Sequence, residues 1–260
     1  MNSTADGACR TTDGAGNPGS PANVLFCVNN KTVSALSLVV IVAVLVALHP
    51  SWREPPAINL AVPFAGTPAE QWPDGADGIV VPDDRPVFAQ VRTALIASRT
   101  DPEMIERHNP EPFLEMLAPQ VRDEVANNLP GWTTRIRSGV RLLGVKTSGR
   151  MTLSEHNGHP LVLTDYVFAY AFAPPDPSKL RHQREMVVAS RNQVSYAVTP
   201  DGVWPAEARG FQYSVACGAA REGFLAPQFT EPARPGAGVA GDDRRYFSAD
   251  GPLPDPDTCA

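Results

Sequence analysis

Residues 33–48 (VSALSLVVIVAVLVAL) are sixteen consecutive residues without a charge, a proline or a glycine. With a rise of 1.5 Å per residue, and with Thr32 and His49 extending the run, such a helix approaches the roughly 20 residues that cross a ~30 Å hydrocarbon core. A helix in a soluble core would show a polar face, whereas only two serines interrupt the apolar character here. The run predicts one transmembrane helix over residues 32–49, with the lipid bilayer as the partner of residues 33–48.

This apolar run is interpreted as a signal anchor that stays attached to the chain. Thirty-two mostly polar residues precede it, and no small-x-small cleavage site follows Leu48. Arg10 and Lys31 lie before the run and Arg53 lies after it, so the positive-inside rule predicts a cytoplasmic N-terminus and a C-terminal domain outside. The predicted localisation is the cell membrane, crossed once.

Charge excludes one class of partner. The chain has 260 residues and a formal net charge of −6, and residues 1–32 carry as many basic as acidic side chains. The acidic excess therefore belongs to the part after the membrane and argues against a surface that binds nucleic acid. Arginine outnumbers lysine nineteen to three, a usage typical of a GC-rich, actinobacterial type of bacterial genome.

Proline and glycine divide the rest of the chain. Residues 1–31 have few large apolar side chains and are expected to be disordered. Residues 50–83 are rich in proline, which disfavours helices and central strands, so this segment is predicted to be an extended stalk that holds the domain several nanometres from the lipid. Residues 84–225 are predicted to fold, and residues 226–260 form a Pro/Gly-rich tail expected to lack fixed structure apart from any cysteine bridge.

Within the folded part, apolar spacing changes from a helical to a strand period. Helices are predicted over residues 85–98, near 102–108, and over 113–117 and 120–129; strands are predicted over 139–154, 161–172, 185–198 and 202–216. Asn157-Gly158 is a strong signal for a two-residue hairpin turn. The order predicts an α+β fold with short N-terminal helices packed on a four-stranded antiparallel meander, preceded by one transmembrane helix.

The second predicted strand carries large and small side chains in alternation. Its aromatic side is formed by Tyr166, Phe168, Tyr170 and Phe172, and its other side by Val167, Ala169 and Ala171. The aromatic side has two interpretations. Either it is core packed under the helices, or it lines a pocket that binds a small apolar ligand.

The search for catalytic or metal-binding patterns finds little. His156 and His159 flank the predicted turn, with Glu155 adjacent and His182 in a neighbouring connection, but a zinc site normally needs three or four ligands at defined spacing. Asp165 lies on the small-residue side without a sequence neighbour suited to acid-base work. Nucleophile-elbow, phosphate-loop, dinucleotide and zinc motifs are lacking. We therefore expect no catalytic residue, no metal and no cofactor.

Four cysteines fall in two pairs relative to the apolar run. Cys9 and Cys27 precede it, whereas Cys217 and Cys259 follow it. An outward domain would let the second pair oxidise and pin the tail to the domain. The alternative is two unpaired thiols.

The order of anchor, proline-rich segment, short helices and four strands resembles the extracytoplasmic cystatin-like or nuclear-transport-factor-like domains of bacterial envelope proteins. The resemblance covers residues 85–218 and includes the stretches 163–172 and 202–205 (GVWP). The resemblance implies a fold and does not select one activity, because such domains include scaffold subunits, small-ligand binders and a few enzymes.

Together these features favour a non-catalytic interaction or scaffold domain, an accessory component of the bacterial cell envelope whose partners are other envelope proteins. The alternative function is a sensor or binder for a small apolar ligand on the aromatic side of the sheet. An enzyme is the third hypothesis, and a homo-oligomer is left open.

Overall fold

A computed structural model of the protein describes residues 58–232, 243–254 and 259. They form an α+β fold around a four-stranded antiparallel sheet, as the sequence predicts. The strands are β1 (Leu142–His156), β2 (His159–Phe172), β3 (Val187–Thr199) and β4 (Gly202–Tyr213), in the order β1-β2-β3-β4. Within these described ranges no helix has the length and apolarity needed to span a bilayer. The predicted anchor over residues 32–49 and the predicted disordered segment 1–31 lie outside them.

Short helices precede the sheet. They are α1 (Pro86–Arg99), α2 (Pro102–Ile105), α3 (Glu111–Leu114), α4 (Arg122–Asn127) and α5 (Leu129–Trp132), and a last one, α6 (Cys217–Arg221), follows the sheet. Prolines mark where four of these helices begin. Each of α1, α2, α3 and α5 carries a proline in its first two positions, where the missing N–H costs nothing. Asp101 caps α2 by accepting a hydrogen bond from the Glu103 amide.

The hairpin between β1 and β2 forms at the predicted turn. Asn157 and Gly158 have φ values of 51° and 76°, and His156 pairs with His159 across the turn. These positive values suit a turn of type I′, which matches the twist of the flanking strands. β3 and β4 are joined at Thr199 and Gly202, which also pair with each other.

The helices cover one face of the sheet. The side chains of Tyr166, Phe168, Tyr170 and Phe172 are completely buried there, in a cluster that includes Phe88 and Leu95 of α1. Aromatic and aliphatic burial of this extent is the main stabilising contribution to the fold.

The other face of the sheet is covered by a segment that the sequence predicts to be stalk. Phe64 and Ala69 are buried against Val167, Ala169 and Ala171, whose small side chains leave room for them. Proline excludes regular structure from this segment but does not prevent irregular backbone from packing. The extended stalk expected over residues 50–83 is therefore absent from residue 64 onward.

Polar contacts fix this N-terminal segment to the edge of the sheet. The Lys146 Nζ donates to the carbonyl of Trp72 at 2.6 Å, and the Thr147 amide donates to the carbonyl of Pro73 at 3.1 Å. Arg92 of α1 donates to the carbonyl of Ile79 at 2.7 Å. Because β1 is an edge strand, the bond from the Thr147 amide also satisfies a backbone group that would otherwise be open to pairing.

The described parts of the C-terminal tail also differ from the expectation of no fixed structure. Tyr246 and Phe247 are buried on the same face of the sheet, and Tyr246 stacks on Tyr213 with ring centroids 4.4 Å apart. Residues 249–253 then run toward Arg191, which binds their carbonyls. The fold thus has three layers: helices, sheet, and two irregular segments from either end of the domain.

Candidate functional site

A polar cavity of about 290 Å³ opens between the helical layer and the edge of the sheet formed by β3 and β4. Its walls come from the end of α1, the segment 130–135, the two strands and the segment 220–225. These elements meet here because Thr134 donates its amide to the carbonyl of Ser98, and Leu225 donates its amide to the carbonyl of Arg135. The cavity is therefore framed by backbone hydrogen bonds between elements far apart in sequence.

Arg99, the last residue of α1, reaches into this cavity. Only 4% of the residue is exposed, and its Nη1 makes a single long hydrogen bond of 3.3 Å to the Thr134 hydroxyl. Its Nε is buried and has no hydrogen-bond partner within residues 58–232, 243–254 and 259. Burial lowers the pKa of the guanidinium because desolvation disfavours its charged form.

Arg135 presents a second guanidinium to the same space. Its Nε is likewise buried and without a hydrogen-bond partner in the part of the chain that the structure describes, and its Nη2 lies 3.4 Å from the carbonyl of Gly223. The guanidinium carbon sits 4.8 Å from the centre of the Phe224 ring, a cation–π contact that orients the side chain.

The remaining lining combines apolar residues, among them Pro130, Ala208 and Leu225, with neutral polar ones, and Arg209 is a further charged side chain. Hydroxyl and amide side chains supply further donors: Thr133, Thr134, Ser190, Asn192 and Gln212. No aspartate or glutamate is among the lining residues in the described ranges, and Arg209 forms an ion pair with Glu207. Arg99 and Arg135 thus lack a carboxylate partner in the described part of the chain.

Two buried tyrosines lie beside Arg99. Burial raises the pKa of Tyr170 and the pKa of Tyr196 to about 12, and the nearby Arg99 charge opposes the rise in both. The Tyr170 hydroxyl donates to the backbone carbonyl of Arg99 at 2.8 Å. At neutral pH both hydroxyls are uncharged, so neither tyrosine supplies the missing anion.

This arrangement is suited to holding an anion. A buried cation is costly unless it is paired, and planar guanidinium groups match the geometry of a carboxylate or phosphoryl group. Lysine, histidine, cysteine and acidic side chains are lacking among the described lining residues, so the cavity offers donors but no conventional acid-base or nucleophilic group.

The aromatic residues that the sequence offers as a ligand site do not line this cavity. Tyr166, Phe168, Tyr170 and Phe172 are fully buried, and the Tyr166 hydroxyl donates to the carbonyl of Val80 at 2.9 Å. The structure gives these four side chains packing partners, as in the first of the two sequence interpretations.

Asp165 lies apart from the paired histidines His156 and His159. Asp165 is on the opposite face of the sheet, where it accepts hydrogen bonds from Arg191 and Gln193. His156 and His159 are exposed at the tip of the hairpin. Among the residues that the structure describes, no group of three or more His, Cys, Asp or Glu is placed to hold a metal ion.

Cys217 and Cys259 are joined by a disulfide in the structure. Cys217 is the first residue of α6, whose Ala220 belongs to the cavity wall. The carboxylate of Glu231 accepts hydrogen bonds from the amides of Gly218 and Ala219 in the same helix, both at 3.0 Å. The disulfide and this carboxylate therefore fix the wall that carries Phe224.

Sequence reasoning misses Arg99, although a signal is present. Phe88 and Leu95 lie eleven and four residues before Arg99, spacings that place all three on one face of a helix. An arginine on the apolar stripe is a departure from the pattern, but the usual preference for basic residues in a last helical turn hides it. Arg135 follows a loop and carries no such signal.

Comparisons with protein-family models, with curated proteins and with solved structures find no match to this chain.

Proposed function

We propose that this protein is a single-pass membrane protein with a non-catalytic extracytoplasmic binding domain, and that the domain binds a small anionic ligand between Arg99 and Arg135. The observation that carries the proposal is the buried guanidinium of Arg99, which lines an open cavity and whose Nε has no hydrogen-bond partner among the described residues.

The energetic argument favours an anion over a neutral ligand. Removing a charge from water costs several kcal/mol, and an oppositely charged group with good geometry recovers much of that cost. The cavity already supplies hydroxyl and amide donors around the two guanidinium groups but no carboxylate among its described lining residues. A bound anion would supply the negatively charged partner that the two guanidinium groups lack among these residues.

The ligand class follows from the donors and the volume. Two planar guanidinium groups can each donate two parallel hydrogen bonds, which fits a carboxylate, a sulfate or a phosphoryl group. A cavity of about 290 Å³ lies at the small end of ligand pockets. The ligand is therefore a compact molecule with one anionic group, such as a short carboxylic acid.

The anchor at residues 32–49, the outward orientation and the role in the bacterial cell envelope come from the sequence and are part of the proposal. The resemblance to cystatin-like and nuclear-transport-factor-like domains is compatible with ligand binding, since such domains include small-ligand binders. Docking to other envelope proteins stays a prediction, and ligand binding at Arg99 replaces the apolar ligand of the aromatic side as the favoured binding function.

Thermal unfolding of the detergent-solubilised full chain tests the anion site. Inorganic phosphate, sulfate and acetate are added separately to protein in a buffer of weakly coordinating ions at constant ionic strength. At least one of them should raise the melting temperature in a saturable manner, because a ligand that binds only the folded state stabilises it by about 2.7 kcal/mol at a hundred times its dissociation constant.

Two variants give the experiment its control. Arg99→Met keeps an unbranched apolar side chain but removes the guanidinium, and it should abolish the anion effect without lowering the melting temperature in anion-free buffer, since a buried unpaired charge is removed. Arg107→Met removes an arginine whose side chain is 68% exposed and should leave the anion effect intact. An anion effect that is lacking in the natural chain, or that persists in Arg99→Met, would overturn the proposal.

A further inference from the structure

The chain enters the folded domain earlier than its proline content suggests. Asn59 already makes hydrogen bonds to the domain, and Phe64 is buried on the sheet. Between the predicted end of the apolar run at residue 48 and residue 58 only nine residues remain. Even fully extended, nine residues span about 30 Å, so the domain stays within reach of the lipid headgroups.

The entry point lies beside the connection between β2 and β3. The side chain of Gln183 accepts a hydrogen bond from the Asn59 amide at 2.9 Å and donates to the Asn59 carbonyl at 2.7 Å. It also lies 3.2 Å from the carbonyl of Val62. Residues 173–186, called the entry loop below, are therefore held at the end of the domain from which the chain leads back to the membrane.

The entry loop carries exposed basic side chains. Lys179, Arg181 and Arg184 are all exposed, and Arg141 lies next to the loop because the Ala173 amide donates to the Arg141 carbonyl at 2.9 Å. This cluster is unlike the chain as a whole, whose formal net charge is −6.

The acidic residues of the entry loop turn toward its own backbone. Glu185 accepts hydrogen bonds from the amides of Arg181 and His182, at 3.2 and 3.1 Å. Asp176 accepts from the amide and the hydroxyl of Ser178, and its other oxygen lies 3.9 Å from Lys179. These carboxylates cap the turns of the loop, while the side chains of Lys179, Arg181 and Arg184 keep exposed surface.

An apolar side chain accompanies the basic ones. Val62 is 50% exposed at the point where the chain enters the domain. Exposed apolar side chains among basic ones are typical of surfaces that contact the headgroup region of a bilayer.

We propose that the entry loop, with Val62, lies against the surface of the membrane and binds anionic lipid headgroups. The proposal rests on the anchor at residues 32–49, which is part of the proposed function, but not on the anion site at Arg99. Anionic lipids attract basic side chains that come within about 10 Å of the surface at physiological ionic strength, and a connection that spans at most about 30 Å lets this end of the domain reach that surface.

Photo-cross-linking of the full chain in liposomes tests the contact. Ser178 in the entry loop is replaced by p-benzoylphenylalanine, and a matched chain carries the same residue at exposed Ser154, near the opposite end of β1. Each protein is reconstituted in phosphatidylcholine alone or mixed with phosphatidylglycerol. After irradiation, lipid adducts are quantified by mass spectrometry.

We expect adducts from position 178 in the mixed liposomes and none from position 154. The double variant Lys179→Glu/Arg181→Glu should reduce the yield at position 178 by about fivefold or more, and so should high salt. Yields at position 178 that are equal in the two lipids, unaffected by the double variant, or absent would overturn the proposal. Protein that is released by an alkaline wash would instead contradict the anchor, so the two failures are distinguishable.

Discussion

Arg191 of β3 and Asp165 of β2 form a bidentate ion pair on the face of the sheet opposite the helices. Nε and Nη2 of Arg191 lie 2.9 and 2.7 Å from the two carboxylate oxygens of Asp165. The same guanidinium donates to the carbonyls of Ala249, Gly251 and Pro252 in the C-terminal tail. Asp165 thus orients the arginine that fixes the tail to the sheet.

Removing the charge of Asp165 should destabilise the domain and release the tail. Arg191 is only 2% exposed, so Asp165→Asn leaves a buried cation without its anion, at a cost of about 3 kcal/mol. Urea unfolding measures the free energy, and limited proteolysis should cut near residues 249–253 faster than in the natural chain. Glu103→Gln, which breaks an exposed pair with Arg107, should cost at most about 0.5 kcal/mol. Equal effects of the two variants would contradict this account.

The disulfide should contribute to stability through the length of the loop that it closes. Cys217 and Cys259 are 42 residues apart, and the chain-entropy model assigns such a loop about 4 kcal/mol. In a background of Cys9→Ser and Cys27→Ser, we expect a dithiol reductant to lower the free energy of unfolding by roughly 2–4 kcal/mol. The Cys259→Ser chain should have a lower free energy of unfolding without reductant, and the reductant should not change it. A reductant effect that persists in that chain would contradict the pairing.

The packing of the N-terminal segment on the sheet can be tested at Gly78. A Cβ at this position would lie 2.2 Å from the backbone carbonyl oxygen of Thr147, far inside van der Waals contact. Gly78→Ala should therefore cost about 1–3 kcal/mol, as overpacked sites do. In the matched variant Gly144→Ala the nearest atom is a ring carbon of Phe64 at 3.6 Å, an ordinary contact, so the change should be small. If both variants unfold at the same urea concentration, residues 64–79 do not pack as described.

The sheet and the first helix could be predicted because their apolar residues repeat with a clear period. The predicted helix over 85–98 matches α1 within a residue, and the four strands and the Asn157-Gly158 turn form where expected. The Pro/Gly-rich segments could not be predicted in this way, because Phe64, Tyr246 and Phe247 pack without regular structure. The period of apolar residues and the local composition predict helices and strands. They do not predict which residues of an irregular segment become buried.

The candidate site was less predictable than the fold. Arg99 and Arg135 are separated by 36 positions and meet only because α1 and the segment 130–135 pack against the same strands. What defines the site is the lack of a nearby carboxylate among its described lining residues, a property of three-dimensional arrangement. Within the sequence, the position of Arg99 on the apolar face of α1 is the one local signal.

The buried tyrosines predict how stability depends on alkaline pH. Burial raises the pKa of Tyr170 from 10.0 to about 12, and it raises the pKa of Tyr196 to the same value. Because the folded-state pKa lies above the unfolded value, the stability that the protonated tyrosines contribute is complete below about pH 10 and is lost as the pH rises toward 12. The free energy of unfolding should therefore fall over this interval, with tyrosinate absorbance rising as the chain unfolds.

The variant Tyr170→Phe separates this titration from ordinary packing. At neutral pH it should cost about 1 kcal/mol, because the hydrogen bond from the hydroxyl to the Arg99 carbonyl is lost. Above about pH 10 its stability should fall less steeply than that of the natural chain, because one of the raised tyrosine pKa values, those of Tyr166, Tyr170 and Tyr196, no longer contributes. Urea titrations at several pH values measure both effects. A variant that shows the same alkaline slope as the natural chain would mean that Tyr170 ionises without unfolding, and that its hydroxyl is not held between Arg99 and Thr134 in the core.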